Sequence, residues 1–81
     1  MKRVAVVILN WNGEKMLREF LPDVVCHSTG AEIVVADNAS TDGSLQMLER
    51  EFPTVRRILL DRNYGFAQGY HLALEQVDAE F

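Results

Sequence analysis

Three short polar stretches hold the residues best suited to chemistry: "NWNG" (10–13), "DNASTDGS" (37–44) and "DRNYGFAQG" (61–69). Asp37 ends an apolar run, so a carboxylate stands at the tip of a buried-type strand. An ionised carboxylate only accepts hydrogen bonds. Asp37 could therefore take an imide N–H or a ribose hydroxyl, but it could not hold a phosphate. Trp11, between Asn10 and Asn12, offers a flat ring face beside two amides. Asn63, Gly65, Phe66 and Gly69 surround the start of a helical period, where free backbone N–H groups favour anions. Each stretch is also rich in turn formers, so taken singly each reads first as a turn. Trp11 would then be the first residue over the sheet edge, and Gly65 a left-handed turn. Convergence on one edge is what would make them a site.

The elements that must position these loops repeat in one order: apolar run, polar turn, helical period. "VAVVIL" (4–9) and "EIVVA" (32–36) are continuous and rich in β-branched residues, as strands buried on both faces of a parallel sheet are. "VRRILL" (55–60) is mixed, and Arg56 and Arg57 suit a sheet edge. Leu17, Phe20, Leu21, Val24 and Val25 repeat at helical spacing, predicting a helix over about 13–26 that Pro22 kinks or restarts. Leu45, Leu48 and Phe52 mark a second helix, with Ser40 or Thr41 as cap and a stop before Pro53. Phe66, Tyr70, Ala73, Leu74 and Val77 mark a third. The expected fold is three-layer α/β, β-α-β-α-β-α, a Rossmann-like half with right-handed crossovers and a parallel sheet ordered 3-2-1. In such sheets ligands bind beyond the carboxyl ends of the strands, which is where all three loops fall. The first strand is the most apolar of the three yet lies at an edge. More sheet is expected beside it, and residues 1–81 read as the opening part of a larger α/β domain.

Composition narrows the rest. With 81 residues there is room for one small domain. The net charge of −4 argues against nucleic acid as a partner. A single cysteine, Cys26, forbids an intrachain disulfide and a cysteine-based metal cluster. The "MKR" start and the apolar run after it are too short for a signal peptide or a membrane span. There is no G-x-G-x-x-G after the first strand and no P-loop. "DNASTDG" fails as a calcium loop, because Leu48 stands where the closing Glu belongs. Asn38-Ala39-Ser40 is a glycosylation sequon without a secretory context. Asp78 and Glu80 read as solvated, and Cys26 and His27 carry no assigned role.

"VVILNWNG", "IVVADNASTDGS" and "NYGFAQGYHLAL", in that order and spacing, resemble the start of family 2 glycosyltransferases, most closely the rhamnosyltransferase-like subgroup. The resemblance runs from Val4 to the C-terminus. It implies the GT-A nucleotide-binding fold and a nucleotide-diphosphate sugar donor, UDP- or dTDP-linked. By that resemblance Asn10, Trp11 and Asn12 line the nucleotide pocket, and Asp37 reads the pyrimidine N3–H. Asn63, Gly65, Phe66, Gly69 and His71 complete the base and phosphate wall. His71 departs from the asparagine or basic residue usual at its position, and Asp42 matches an acidic position for which capping is sufficient. The family's Asp-x-Asp ligands for Mg²⁺ or Mn²⁺, and its general base, are expected after residue 81.

The implied parent enzyme is an inverting transferase of bacterial type. It would build cell-surface polysaccharide or glycolipid in the cytoplasm, at the inner face of the membrane, and this segment alone would be inactive. Two other readings stay open: another nucleotide-sugar enzyme with the same half-fold, and a non-catalytic nucleotide-binding module that forms a homodimer through the first-strand edge.

Overall fold

The computed structural model describes residues 4–28 and 30–80, and side chains as far as 78. Residues 1–3, the Glu80 carboxylate and Phe81 lie outside the described residues. Six elements follow one another: β1 (Val4–Asn10), α1 (Glu14–His27), β2 (Ala31–Asp37), α2 (Ser44–Glu51), β3 (Arg56–Leu59) and α3 (Gly65–Glu80). The strands form one sheet in the order β1-β2-β3, which is the expected 3-2-1 read from the other edge. Both pairings are parallel, and the first sets Asn10 opposite Asp37.

Alternation along the strands divides the core in two. Ile33 and Val35 of β2 face Leu17, Leu21, Met47 and Leu48 of α1 and α2. Val34 and Ala36 face Ala73 and Val77 of α3. Helices thus cover both faces, and β2 is buried from Ile33 to Asp37. Full burial of each such aliphatic side chain contributes about 1.5–3 kcal/mol, so the central strand anchors the fold. β1 is only half-buried along most of its length despite its apolar sequence, because it has a neighbour on one side only. β3 takes the other edge, with Arg57 exposed and Arg56 3.8 Å from Glu32.

Three local expectations change. α1 runs through Pro22 as one helix rather than restarting. Pro22 and Arg18, whose carbonyl loses its partner, are both exposed, so water can satisfy the freed group. α2 begins at Ser44 after Gly43, so neither Ser40 nor Thr41 caps it. On α3 the apolar period is only partly buried: Ala73 and Val77 are in the core, while Phe66 is 76% and Leu74 47% exposed.

Candidate functional site

The carboxyl ends of β1 and β2 lie abreast, and the two loops that leave them are tied together by side chains. Asp37 accepts hydrogen bonds at Oδ1 from Asn10 Nδ2 (2.9 Å) and from the Ser40 hydroxyl (2.7 Å). Its Oδ2 accepts from the Ser40 backbone N–H (2.8 Å). The residue is 1% exposed, and burying a carboxylate is tolerable only with such donors around it. Asn12 Oδ1 accepts from the N–H groups of Thr41 (2.7 Å) and Asp42 (3.1 Å). Its own N–H donates to Ser40 Oγ (2.9 Å). Asn12 holds a φ of 50°, a left-handed conformation that asparagine tolerates well. The result is a clasp in which asparagines and hydroxyls serve the protein itself.

Asp42 joins the clasp to the helices. Its Oδ1 accepts from the Ser44 N–H (2.9 Å) and hydroxyl (2.5 Å), and its Oδ2 from the Glu14 N–H (3.2 Å). One carboxylate thus satisfies the first N–H of both α1 and α2, where the helix dipoles also favour negative charge. Partial burial works against ionisation of Asp42. The bonds from Ser44 and Glu14 outweigh it and hold the carboxyl below its ordinary range. Glu14 returns the favour, accepting from the Gly43 N–H (3.1 Å).

On the far side of Asn38 the chain leaves open space. A cleft of about 240 Å³ is lined by Leu9, Trp11, Asn38, Asn63, Gly65 and Phe66. Asn38 lies between clasp and cleft: its Oδ1 accepts from the Tyr64 N–H (2.9 Å) and its Nδ2 donates to the Gly65 carbonyl (3.0 Å). Gly65, at φ 79°, turns the chain into α3 in a conformation that a side chain would strain. Asn63 Oδ1 accepts the Gly65 N–H (2.7 Å). Beside the cleft, Tyr64 donates to Asp61, which holds the Asp61 carboxyl below its ordinary range, and Arg62 lies over the Tyr64 ring at 5.0 Å. Trp11 is 55% exposed and Phe66 76%. Two large aromatic surfaces left in water at one opening mark a place for a flat, partly apolar ligand.

Of the sequence candidates, Trp11, Asn63, Gly65 and Phe66 come together in the lining. Asn10, Asn12 and Asp37 are in the clasp. Gly69 lies behind the wall, against Leu9 and Asn38. His71 is 70% exposed and pairs with Glu75 at 2.9 Å, away from the lining. Leu9 and Asn38 are the residues that sequence reasoning passed over. Leu9 looked like ordinary strand, and Asn38 like half of a sequon, although at 2% exposure it is no glycan acceptor. No group of three or more His, Cys, Asp or Glu residues able to hold a metal occurs among the described residues. The ligands for Mg²⁺ or Mn²⁺ that the resemblance implies are expected after residue 81. No described helix is long and apolar enough to cross a membrane.

Comparison with known proteins gives the family and the fold. Residues 5–81 match the family described as Glycosyl transferase family 2. No curated protein matches the sequence. Among solved structures, the mannosyltransferase PcManGT from Pyrobaculum calidifontis, in complex with GDP-Man and Mn²⁺, is 27% identical with a TM-score of 0.75. The match covers 91% of this chain and 24% of that one. S. aureus TarS 1-349 is 28% identical with a TM-score of 0.76, over 93% of this chain and 24% of TarS. Its complex with UDP-GlcNAc gives 28% and 0.77, over 93% and 23%. The chain spans about a quarter of the length of these structures. Its three parallel strands have the architecture of the N-terminal half of a GT-A domain. Pairing of two copies through the β1 edge gains no support.

Proposed function

Because this chain belongs to glycosyl transferase family 2, we propose that residues 1–81 are the N-terminal, nucleotide-binding part of an inverting transferase. Its donor is a nucleotide-diphosphate sugar, and its acceptor a polysaccharide or glycolipid. The observation that carries this reading is the cleft walled by Trp11 and Phe66 beyond the carboxyl ends of β1 and β2. At about 240 Å³ it falls below the ~300–1,000 Å³ of sites that enclose a whole ligand. It suits a base and part of a ribose, with the rest of the donor outside. The matched structures carry GDP-Man in one case and UDP-GlcNAc in another, so both purine and pyrimidine donors occur on relatives of this half-fold.

In this reading Trp11 and Phe66 supply ring surfaces for the base. Asn63 and the Gly65 backbone, at the start of α3, supply polar groups towards the ribose and diphosphate. Asp37 sets the pyrimidine preference through Oδ2, which carries one hydrogen bond and keeps an acceptor position for an N–H. A base reaches it by displacing the Ser40 loop, so the larger contribution of Asp37 is to hold that loop. Transfer itself needs a general base to take the acceptor proton. The part of that reaction proposed for residues 1–81 is positioning of the nucleotide. The parent enzyme belongs to bacterial cell-surface polysaccharide synthesis, working from the cytoplasmic side.

The test is an NMR titration of the folded chain with UDP, dTDP and GDP, with and without Mg²⁺. Weak, metal-independent shifts are expected at the cleft residues and, with UDP and dTDP, also at Asp37 and Ser40, larger for these two than for GDP. No shift at millimolar nucleotide from a folded chain would overturn the reading. Shifts that depend on Mg²⁺ would overturn the metal-free half-site.

A further inference from the structure

Asn38 stands just past the end of the central strand, with the sheet hydrogen-bonded on both sides of it. Its N–H donates to the Asn10 carbonyl (2.8 Å) towards β1, and the Asp37 carbonyl before it accepts the Leu60 N–H (2.9 Å) towards β3. The backbone beneath its side chain is therefore fixed as firmly as β2 itself. The residue is 2% exposed, and its carboxamide reaches out of the sheet to the loop between β3 and α3. There Oδ1 accepts the Tyr64 N–H and Nδ2 donates to the Gly65 carbonyl. A carboxamide offers an acceptor and a donor, as a peptide group does, so Asn38 serves this loop as a neighbouring strand would. A carboxylate could accept from Tyr64 but would oppose the Gly65 carbonyl. Two neighbours conform to it. At Gly69 a Cβ would lie 3.0 Å from Asn38 Nδ2 and 3.1 Å from Leu9 Cδ1, so glycine leaves the room in which the amide sits. Ala39 holds a φ of 61°, a left-handed conformation that alanine avoids. It separates Asn38, tied to the β3–α3 loop, from Ser40, tied to Asp37.

We infer that Asn38 is a positioning residue for the cleft: its carboxamide carries the fixed geometry of the central strand into the β3–α3 loop. That loop supplies Asn63 and Gly65 to the lining, and Asn63 accepts the Gly65 N–H in turn. Two bonds from one buried side chain thus set where this wall stands relative to Leu9 and Trp11 across the cleft. Without them the loop would be held only where it leaves β3 and where it enters α3. A wall already in place spares the ligand the cost of ordering it. The role in ligand binding rests on the proposed function, whereas the hold on the loop does not.

Asn38→Leu tests it in the whole chain, since it keeps the approximate shape and the neutral charge and removes both bonds. Tyr64 amide exchange should quicken and the Gly65 resonances shift, while β2 amides keep their protection. The UDP dissociation constant should rise about tenfold as the wall loses its preformed place. Gly69→Ala approaches the same contact from α3. It should move the Asn38 side-chain amide signals and weaken UDP, although alanine is the better helix former. Val77→Ala, which opens a cavity in the core beneath α3, should lower stability yet leave UDP affinity and the Asn38 signals unchanged. Unaltered Tyr64 exchange and Gly65 resonances in folded Asn38→Leu would overturn the hold on the loop. If that variant does not fold, unmoved Asn38 and Gly65 signals in Gly69→Ala would overturn it instead. Wild-type UDP affinity despite a displaced loop would overturn the role in the cleft. If the unmodified chain binds no nucleotide, the proposed function fails, and Asn38 is judged on the loop signals alone.

Discussion

The clasp and the cleft lie side by side at one end of the sheet, and the chain treats them in opposite ways. In the clasp, Asn10, Asn12, Asp37, Ser40 and Asp42 turn their polar atoms on one another. Among the described residues, no buried side-chain nitrogen or oxygen lacks a partner. In the cleft, aromatic rings that could have packed inward stay in water. The residues that look most chemical in the sequence mainly hold the loops, and the surface available to a ligand is largely apolar. A buried polar group must be satisfied before it can serve anything else, whereas an exposed ring costs the fold little and is free to stack.

If that division is right, substitutions on the two sides must separate stability from binding. Asp37→Ala gives the largest effect: it strips one of the two acceptors of Asn10 Nδ2, the other being Ser40 Oγ, and removes the acceptor of both Ser40 donors in a largely buried place. Each buried donor left without a partner costs ~1–3 kcal/mol, so unfolding in urea should show a loss of about 3 kcal/mol. A loss within ~0.5 kcal/mol, the usual range for a surface change, would mean that the clasp is decorative. Phe66→Ala should do the reverse. Its stability should stay within ~0.5 kcal/mol of the parent, while UDP binding weakens by the ~1–3 kcal/mol typical of one base–aromatic stack. Undiminished binding in a titration of that variant would break the comparison from the cleft side.

The smallest effect sharpens the comparison through pH. The folded Asp42 carboxyl lies below its ordinary value of 3.8, which it recovers on unfolding. Ionised Asp42 therefore stabilises the two helix starts fully above that ordinary value. The contribution disappears as pH falls through the lowered folded value. Asp42→Asn should be less stable than the parent at neutral pH and should lose less on acidification. Parallel acid-denaturation profiles for the two proteins would show that Asp42 does not carry this linkage.

The sequence alone determined the alternating β-α order, the parallel sheet and the strand order. Continuous β-branched runs and short connections leave few other ways to bury both faces, and Arg56 and Arg57 mark β3 as an edge. The three loop motifs, taken together, also pointed to the family. What the sequence left open was decided by contacts across long separations. Asp42 rather than Ser40 or Thr41 accepts the first N–H of α2, while Ser40 and Thr41 are engaged with Asn12. Phe66 stands at a position of the apolar period but faces solvent, because α3 turns Ala73 and Val77 to the sheet and Gly69 to Leu9. Asn38 and Leu9 became walls only when β1, β2 and α3 met. Periodicity records which residues avoid water on average. Which polar groups satisfy one another, and which ring is left over, depends on partners that sequence spacing does not reveal.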